Sequence, residues 1–380
     1  MKPTHYISAA DRSRQRGVTL IELMVSMVIG LVLTAGVIQM FTGNRTTYAF
    51  QESLSWIQEN GRFAVEQISN STRMAGYLGC LTNVAMFNHL AGAANNFRDD
   101  LTNGLQGFEA NGTGAGQLFA AAATDPFPLA NPNAWTPALP PELGNPALVI
   151  PGSDVLVARY VSGQSNSLVA PFSSSTQLFV GNGPGNFQAG ELLVVTDCQK
   201  ASLFQATQVQ PTAFGATIDH TTAAFTPGNA LPAAWGPNES YGLGSEVARM
   251  QAFAFYVGRG QNNAPSLFQL RLALTGATTS QFQPEELIEG VDTMQVRYGL
   301  DTTNDQQVDV WQSAALISAA NNWPNVLSAE VTLLMRGAEE YGTEVDTVVY
   351  NAGGMQFNPI DDRRLRQVFS TTVGVRNRLP

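Results

Sequence analysis

The chain has 380 residues, 44% of them hydrophobic and 13% charged, and carries a formal net charge of −10. Affinity for phosphate backbones comes largely from Lys and Arg side chains, so direct binding of so acidic a chain to nucleic acid is not expected. The chain is also too long for a small disulfide-dependent domain. About 300 of its residues follow the amino-terminal segment, and that number can bury one large core or two smaller ones.

An apolar run from Val18 to Phe41 is the first element in chain order. As a helix it would be about 36 Å long, enough to cross the hydrocarbon core of a membrane. The short segment before it carries four basic residues against one acid, namely Lys2, Arg12, Arg14 and Arg16 against Asp11. This excess of positive charge predicts a cytoplasmic amino terminus and an exported remainder.

Glu22 is the one charged residue inside this run. A carboxylate within a membrane costs about 2.5 to 3.5 kcal/mol on insertion scales, so such a residue indicates function and needs a partner. The natural partner is an ammonium group.

The residues around the start of the run, Arg16-Gly17 followed by Val18-Thr19-Leu20-Ile21-Glu22-Leu23, resemble the class III signal of type IV pilins and type II secretion pseudopilins. The resemblance implies that residues 1–17 are a leader, that a prepilin peptidase cuts after Gly17, and that Val18 is then N-methylated. It also supplies the partner of Glu22, the new ammonium group of Val18, in the same or an adjacent subunit. In most members of this family the mature chain begins with Phe or Met, so Val18 departs from the usual family pattern.

A Sec signal peptide or a plain anchor is the alternative interpretation of the same run. It is disfavoured because the run exceeds the usual signal-peptide length of about 7 to 15 apolar residues and no A-x-A cleavage site follows it.

The helical pattern continues beyond the apolar run. Small and apolar residues recur at steps of three and four, as in Leu54, Ile57, Gly61, Ala64 and Ile68, which predicts one buried face. We therefore expect a single helix from Val18 to about Met74, with a membrane-spanning half over 18–41 and an amphipathic half over 42–75.

The remaining residues, 76–380, are expected to form one β-rich globular domain with a loop-rich insertion at about 81–150, where Gly, Asn, Ala and Pro dominate. Strands are predicted from β-branched or alternating runs at 154–161, 176–180, 191–196, 247–257, 267–274, 293–298, 327–335, 345–350 and 367–375. The fold class is α+β: a pilin fold, with the long amino-terminal helix packed on a large antiparallel sheet.

The two cysteines, Cys80 and Cys198, both fall in the part predicted to be exported. An oxidising compartment favours pairing, so we expect a disulfide between them, the alternative being two free buried thiols.

Further segments resemble PilW-type minor type IV pilins: Arg73 to Cys80, Asp197-Cys198, Glu289 to Gly299, Val331 to Arg336, and Asp362 to Pro380. The resemblance implies a non-catalytic subunit that works with other minor pilins, the major pilin, the prepilin peptidase, the inner-membrane assembly platform and a tip adhesin.

No segment indicates an enzyme. The glycine-rich stretch 181–185 lacks the spacing of a nucleotide-binding loop and is expected to be a turn. His89 and His220 lie in loop-like sequence and are expected at the surface. The acidic pair Asp361-Asp362 and the arginines that follow predict a solvated turn before the last strand.

A calcium-type pattern occurs once, with oxygen-bearing side chains at Asp301, Thr303, Asp305 and Asp309. Gln306 stands where such loops need Gly, and the bidentate Glu is missing. An Asx-rich hairpin is therefore favoured, calcium stays a minor alternative, and no other cofactor or metal is expected.

The sequence thus predicts a minor type IV pilin that primes pilus assembly and sits at the pilus tip, held first in the inner membrane with a periplasmic domain and then displayed on the cell surface. A J-like pseudopilin of type II secretion is the alternative within filament systems. A membrane-anchored enzyme or ligand-binding ectodomain is the alternative from another class.

Overall fold

The computed structural model describes residues 17–79, 85–92, 97–121, 131–144, 148–230, 235–261, 263–340, 342 and 344–378. Contacts between residues divide the chain into two compact units, the first ending at Glu52 and the second beginning at Ser53. A long helix, α1, runs from Leu20 to Met74, which confirms the predicted helix to within two residues at its start.

The second unit contains a short helix, α2 (Ala314–Ala320), and many strands. In chain order the strands are β1 (Ala85–Asn88), β2 (Leu105–Ala110), β3 (Leu118–Ala120), β4 (Trp135–Thr136), β5 (Val155–Ser173), β6 (Gln177–Gly181), β7 (Leu192–Thr196), β8 (Lys200–Gln205), β9 (Gln208–Thr212), β10 (Gly215–Asp219), β11 (Glu246–Arg259), β12 (Pro265–Thr275), β13 (Thr279–Glu289), β14 (Val291–Leu300), β15 (Val310–Gln312), β16 (Val326–Glu340), β17 (Tyr350–Ala352), β18 (Met355–Asn358) and β19 (Arg364–Gly374).

These strands form three sheets. The main path of the largest sheet runs β1-β8-β7-β11-β5-β6-β10-β9, with β12 and β13 attached beside β11 and with β2 and β4 attached beside β5. A four-stranded sheet has the order β15-β14-β16-β19, and a small sheet has the order β17-β18-β3. Pairing is antiparallel except for β1 with β8 and β3 with β18. The α+β prediction is therefore confirmed.

The main core lies between the last part of α1 and the four-stranded sheet. Ile57, Ala64 and Ile68 are fully buried and belong to one apolar cluster with residues of β14 and β16, such as Met294 and Leu333. The predicted stripe on α1 is thus the face that packs on the sheet, and its burial is the main source of helix stability in this part of the chain.

Gly61 allows the helix to approach this sheet closely. A Cβ atom at residue 61 would lie 2.5 Å from ring atoms of Phe369 on β19. Any larger residue there would have to displace the Phe369 ring or move α1 away from the four-stranded sheet.

Asp154 joins the four-stranded sheet to the largest sheet. Its carboxylate accepts hydrogen bonds from the backbone N–H of Ala110, on β2, and of Val296, on β14, each at 2.9 Å. Burial raises the pKa of Asp154 to about 7, against the lowering effect of those two hydrogen bonds. This side chain therefore fixes the relative position of strands that belong to different sheets.

Two sequence predictions about loops and strands were wrong. The segment at about 81–150 was predicted to be a loop-rich insertion without strands, yet Leu105–Ala110 forms strand β2, which pairs with β5 and is largely buried. Conversely, a strand was predicted over 345–350, but the chain has no strand there before Tyr350, and Val345, Val348 and Val349 are exposed.

Candidate functional site

The candidate processing and assembly site lies where α1 begins. Gly17, Val18 and Thr19 precede the helix, and Glu22 lies in its first turn. A Cβ atom at Gly17 would meet nothing within 4 Å. Among the described residues, therefore, none sets a steric limit at the predicted cleavage point.

Thr19 and Glu22 form a reciprocal capping box at the start of α1. The backbone N–H of Thr19 donates to Oε2 of Glu22 at 3.2 Å, and the backbone N–H of Glu22 donates to Oγ1 of Thr19 at 3.3 Å. The Thr19 hydroxyl also donates to the same carboxylate oxygen at 3.2 Å. Such a box satisfies N–H groups that the first turn of a helix leaves without intrahelical partners.

This capping role was missed in the sequence, although the Thr-x-x-Glu spacing is its recognised signal. In this uncleaved chain the nitrogen of Val18 is an amide, and Thr19 is the residue that bonds to the Glu22 carboxylate. The pairing of Glu22 with the ammonium group of Val18 stays a prediction for the processed chain.

The rest of the first unit is an apolar helix. Among the described residues, α1 is the one helix long and apolar enough to span a membrane. Its apolar side chains from Leu20 to Phe41 are exposed, so this surface is available to lipid or to other helices.

The candidate calcium loop, 301–309, connects β14 to β15 as an Asx-rich hairpin. The Asp301 carboxylate accepts backbone N–H groups from Thr303, Asn304 and Gln306, and one oxygen of Asp309 accepts the backbone N–H groups of Thr302 and Thr303. The hydrogen bonds that Thr302 and Thr303 donate to Asp309 lower the pKa of this carboxyl group. Across the part of the chain that the structure describes, no group of three or more His, Cys, Asp or Glu residues is arranged to hold a metal ion.

The glycine-rich stretch 181–185 follows β6 and contacts Asn166. The amide side chain of Asn166 bonds both ways to the backbone of Gly185, accepting its N–H at 2.8 Å and donating to its carbonyl at 2.9 Å. The stretch is thus held as a turn against β5.

The histidines are not at the surface as expected. His220 is 1% exposed and stacks on Trp235 with ring centroids 3.8 Å apart. His89 is largely buried, and its Nε2 atom contacts the carboxylate of Glu239. The prediction of surface histidines was wrong because distant aromatic and acidic side chains, invisible to local sequence patterns, cover both rings.

The prediction of a solvated turn before the last strand agrees with the exposure of Asp361 and Arg363, but it was wrong for Arg366. The side chain of Arg366 is fully buried and contacts three carboxylates, those of Asp292 at 2.8 Å, Asp346 at 3.1 Å and Asp362 at 2.7 Å. Burial lowers the pKa of Arg366, but the hydrogen bonds that it donates to Asp362 and the charge of Asp292 outweigh this effect and raise the pKa overall. This buried network ties β19 to β14 and to the segment before β17.

Of the two cysteines, Cys198 is disulfide-bonded, whereas Cys80 lies outside the described residues. The chain just before Cys80 comes close to the strand before Cys198, since a Cβ atom at Gly79 would lie 2.8 Å from Cγ2 of Thr196. The pairing of Cys80 with Cys198 stays a prediction, and this proximity supports it.

Replacing Cys198 by Ser should lower the stability of the domain by about 4 to 5 kcal/mol if the bridge closes the predicted loop, according to the chain-entropy account of disulfides. Non-reducing peptide mapping should recover Cys80 and Cys198 in one linked peptide pair, and thermal unfolding with and without reductant should reproduce the effect of the substitution. Recovery of both residues as free thiols would contradict the prediction.

Two family models match the chain. Residues 12–38 match the prokaryotic N-terminal methylation motif, and residues 254–377 match the family Type IV Pilus-assembly protein W, or PilW. The first match contains Gly17, Val18 and Glu22, and the second runs from within β11 through β19. No curated protein matches the chain.

Among solved structures, a type IV-like pilin from Thermus thermophilus is similar to this chain at 15% sequence identity. The match covers 50% of this chain and 86% of that one, with a TM-score of 0.23. At these values the likeness adds nothing to the assignment.

The methylation motif, the long apolar helix and the β-rich domain together define a type IV pilin-like protein that is anchored by its amino-terminal helix. Its carboxy-terminal part, residues 254–377, matches the PilW family model and is thus a PilW domain, which supports a PilW-type pilin. The resemblance found in the sequence is confirmed.

Proposed function

We propose that this chain is a minor type IV pilin, a non-catalytic subunit that primes pilus assembly and sits at or near the pilus tip. The observation that carries the proposal is the presence, in one chain, of a methylation motif at residues 12–38 and a PilW domain at residues 254–377. The partners are other minor pilins, the major pilin and a tip adhesin. No nucleic acid or cofactor is part of the proposal.

Processing and location follow from the start of the chain. The prepilin peptidase cuts after Gly17 and the new terminus at Val18 is methylated, while Lys2, Arg12, Arg14 and Arg16 keep the leader in the cytoplasm. The rest of the chain, on the periplasmic side of the inner membrane, then joins the assembly platform and enters a filament on the cell surface.

Assembly relies on Glu22 changing partner. In the uncleaved chain its carboxylate is bound by Thr19. Cleavage converts the nitrogen of Val18 to an ammonium group, and a bundle of apolar helices is a medium of low dielectric constant, in which opposite charges attract strongly. An ion pair formed there removes the penalty of a membrane carboxylate and so favours the assembled state.

Variants at Glu22 and Thr19 should separate charge from capping. Glu22→Ala should be inserted and cleaved, yet join other pilins poorly and lower the number of pili. Glu22→Gln keeps the capping acceptor but lacks the charge, so partial impairment is expected. Thr19→Val loses only the capping hydroxyl, which is worth about 1 kcal/mol of helix stability, and should assemble better than Glu22→Ala. Electron microscopy measures the number of pili, and co-purification measures association with partner pilins. If both Glu22 variants match the wild type in pilus number and in co-purification, the proposed ion pair is contradicted.

Deletion of the chromosomal copy tests the function itself. Loss of surface pili with intact protein secretion, restored by the wild-type chain, is the expected result. Loss of secretion with normal piliation would instead identify a pseudopilin of the type II system, and no change in either would favour an anchored ectodomain with another function.

A further inference from the structure

Four Asn-Gly pairs occur in this chain, and such pairs are chemically reactive. The backbone nitrogen of the glycine can attack the side-chain carbonyl carbon of the asparagine, because glycine has no side chain to shield that nitrogen and leaves the backbone free to rotate. The pairs begin at Asn60, Asn103, Asn111 and Asn182. Their reacting groups are the same, so differences in reactivity between them depend on how the fold holds each asparagine.

The first two asparagine side chains are held by hydrogen bonds. The side-chain amide of Asn60 donates to the backbone carbonyl of Trp56 at 2.9 Å. Asn60 also lies inside α1, where the nitrogen of the next residue donates to the backbone of the helix itself. The side-chain amide of Asn103 donates to the carboxylate of Asp100 at 2.9 Å. Both side chains are therefore kept from the following nitrogen.

Asn111 is exposed, but its side chain is bonded at both ends. Its amide nitrogen donates to the backbone carbonyl of Asn133 at 3.2 Å, and its carbonyl oxygen accepts the hydroxyl of Thr136 at 2.9 Å. A reaction that must first break two hydrogen bonds of ordinary strength is slowed by about tenfold or more. Exposure alone therefore does not make an Asn-Gly pair reactive in this fold.

Asn182 differs from the other three asparagines. It lies in the turn after β6 and is exposed, and no described residue forms a hydrogen bond with its side chain. Gly183 is also exposed, and its backbone N–H donates to no described group. The turn is held on either side of this pair, where the backbone N–H of Asn182 donates to the carbonyl of Phe214 and Asn166 bonds to Gly185. The attacking nitrogen and its target are thus both free and open to water.

We propose that Asn182 is a site of spontaneous deamidation in the folded chain. The nitrogen of Gly183 bonds to Cγ of Asn182, and the bond from Cγ to the side-chain amide nitrogen breaks. The leaving nitrogen takes up the proton that the glycine nitrogen loses, so ammonia is released and a five-membered succinimide ring remains. Water then opens the ring at either carbonyl, which gives aspartate or isoaspartate. The reaction needs no oxidant, reductant or cofactor, and the inference does not depend on the proposed function.

The reaction changes the surface at this turn. A neutral amide becomes a carboxylate, and isoaspartate also adds one carbon atom to the main chain. A Cβ atom at Gly183 would lie 2.3 Å from Oδ1 of Asn166, so the turn has little room for a longer backbone. Because the reaction is spontaneous, the converted fraction increases with the time since synthesis. Residue 182 therefore distinguishes older subunits from newer ones.

Peptide mapping by mass spectrometry tests this assignment on the full-length chain, held in detergent at mildly alkaline pH. In the folded chain we expect Asn182 to convert about tenfold or more faster than Asn111, with Asn60 and Asn103 also slower. In denaturant these hydrogen bonds are absent, so the four pairs should convert at similar rates. Equal conversion of Asn111 and Asn182 in the folded chain would overturn the proposal. Conversion of Asn182 in denaturant alone would also overturn it.

Two variants check the chemistry and the role of the hydrogen bonds, with thermal unfolding to show that each is folded. Asn182→Gln keeps an amide but cannot form the five-membered ring, so methylation by an isoaspartyl methyltransferase should fall while the conversion of Asn111 is unchanged. Thr136→Val removes one hydrogen bond from Asn111 and should speed conversion there by about fivefold. Wild-type methylation of Asn182→Gln, or an unchanged rate at Asn111 in Thr136→Val, would contradict the proposal.

Discussion

Gly17→Trp should leave an unprocessed precursor in the inner membrane and abolish incorporation into pili. The peptidase must bind the backbone just ahead of the apolar run, and a large side chain at the cleavage point excludes it. We expect the fold of the described chain to be unaffected, because a Cβ atom at Gly17 meets none of the described residues within 4 Å. Intact-mass measurement of the membrane fraction should show one species that retains residues 1–17.

The control for this variant is a bulky residue at a second glycine of the same segment. A Cβ atom at Gly30 also meets nothing within 4 Å, so Gly30→Leu should insert normally and be cleaved after Gly17 as efficiently as the wild type. Equal processing of Gly17→Trp and the wild-type chain would refute the predicted cleavage point.

Arg366→Met should destabilise the globular domain by about 3 to 5 kcal/mol, because removing one partner of a buried ion pair leaves the other charges without compensation. Three carboxylates depend on this guanidinium group, those of Asp292, Asp346 and Asp362. Chemical denaturation of the full chain in detergent measures the effect. Arg363→Met is the matched control, since Arg363 is exposed, and surface changes of this kind usually stay within about 0.5 kcal/mol.

The same network predicts a dependence of stability on pH. Burial alone would raise the pKa of Asp362, but hydrogen bonds from the Arg366 side chain and the Arg364 backbone, together with the charge of Arg366, lower it below its usual 3.8. A lowered pKa in the folded state means that this contribution is fully present above about pH 4 and is lost as the pH falls through the lowered value. The Arg366→Met variant should lack this acid-dependent loss; an identical pH profile for variant and wild type would contradict the assignment.

Helices and buried strands could be predicted because their signals are local. The stripe of Ile57, Ala64 and Ile68 has the period of a helix, and each of these residues is fully buried in the structure. Strand β16 could be predicted for the same reason, because a continuous apolar run of this length favours burial in any fold. Periodic burial is a strong constraint, so these elements could be read from the sequence.

Features that depend on distant residues could not be predicted in this way. Strand β2 contains Gly107 and Glu109, which weaken the strand pattern, and its end is held by Asp154, which is 44 positions away. His220 is buried by Trp235 rather than by its own neighbours. The charges of residues 361–366 were interpreted as solvated because a sequence does not reveal that Asp292 lies against Arg366.

The sequence suggested which residues form the candidate site, and their roles in cleavage, methylation and pairing stay predictions. Gly17, Val18 and Glu22 came from the signal motif, and the methylation-motif match covers all three. The hydrogen bonds between Thr19 and Glu22 add a second role for the carboxylate, that of a helix cap before cleavage.

The mass of this chain isolated from sheared pili tests its processing and its incorporation into the filament together. We expect a subunit that begins at Val18 and carries one methyl group on its terminal nitrogen, found in the pilus fraction together with other pilins. A chain that begins at Met1, one cut within the apolar run near Ala35, or a processed chain found only in the membrane would contradict this expectation.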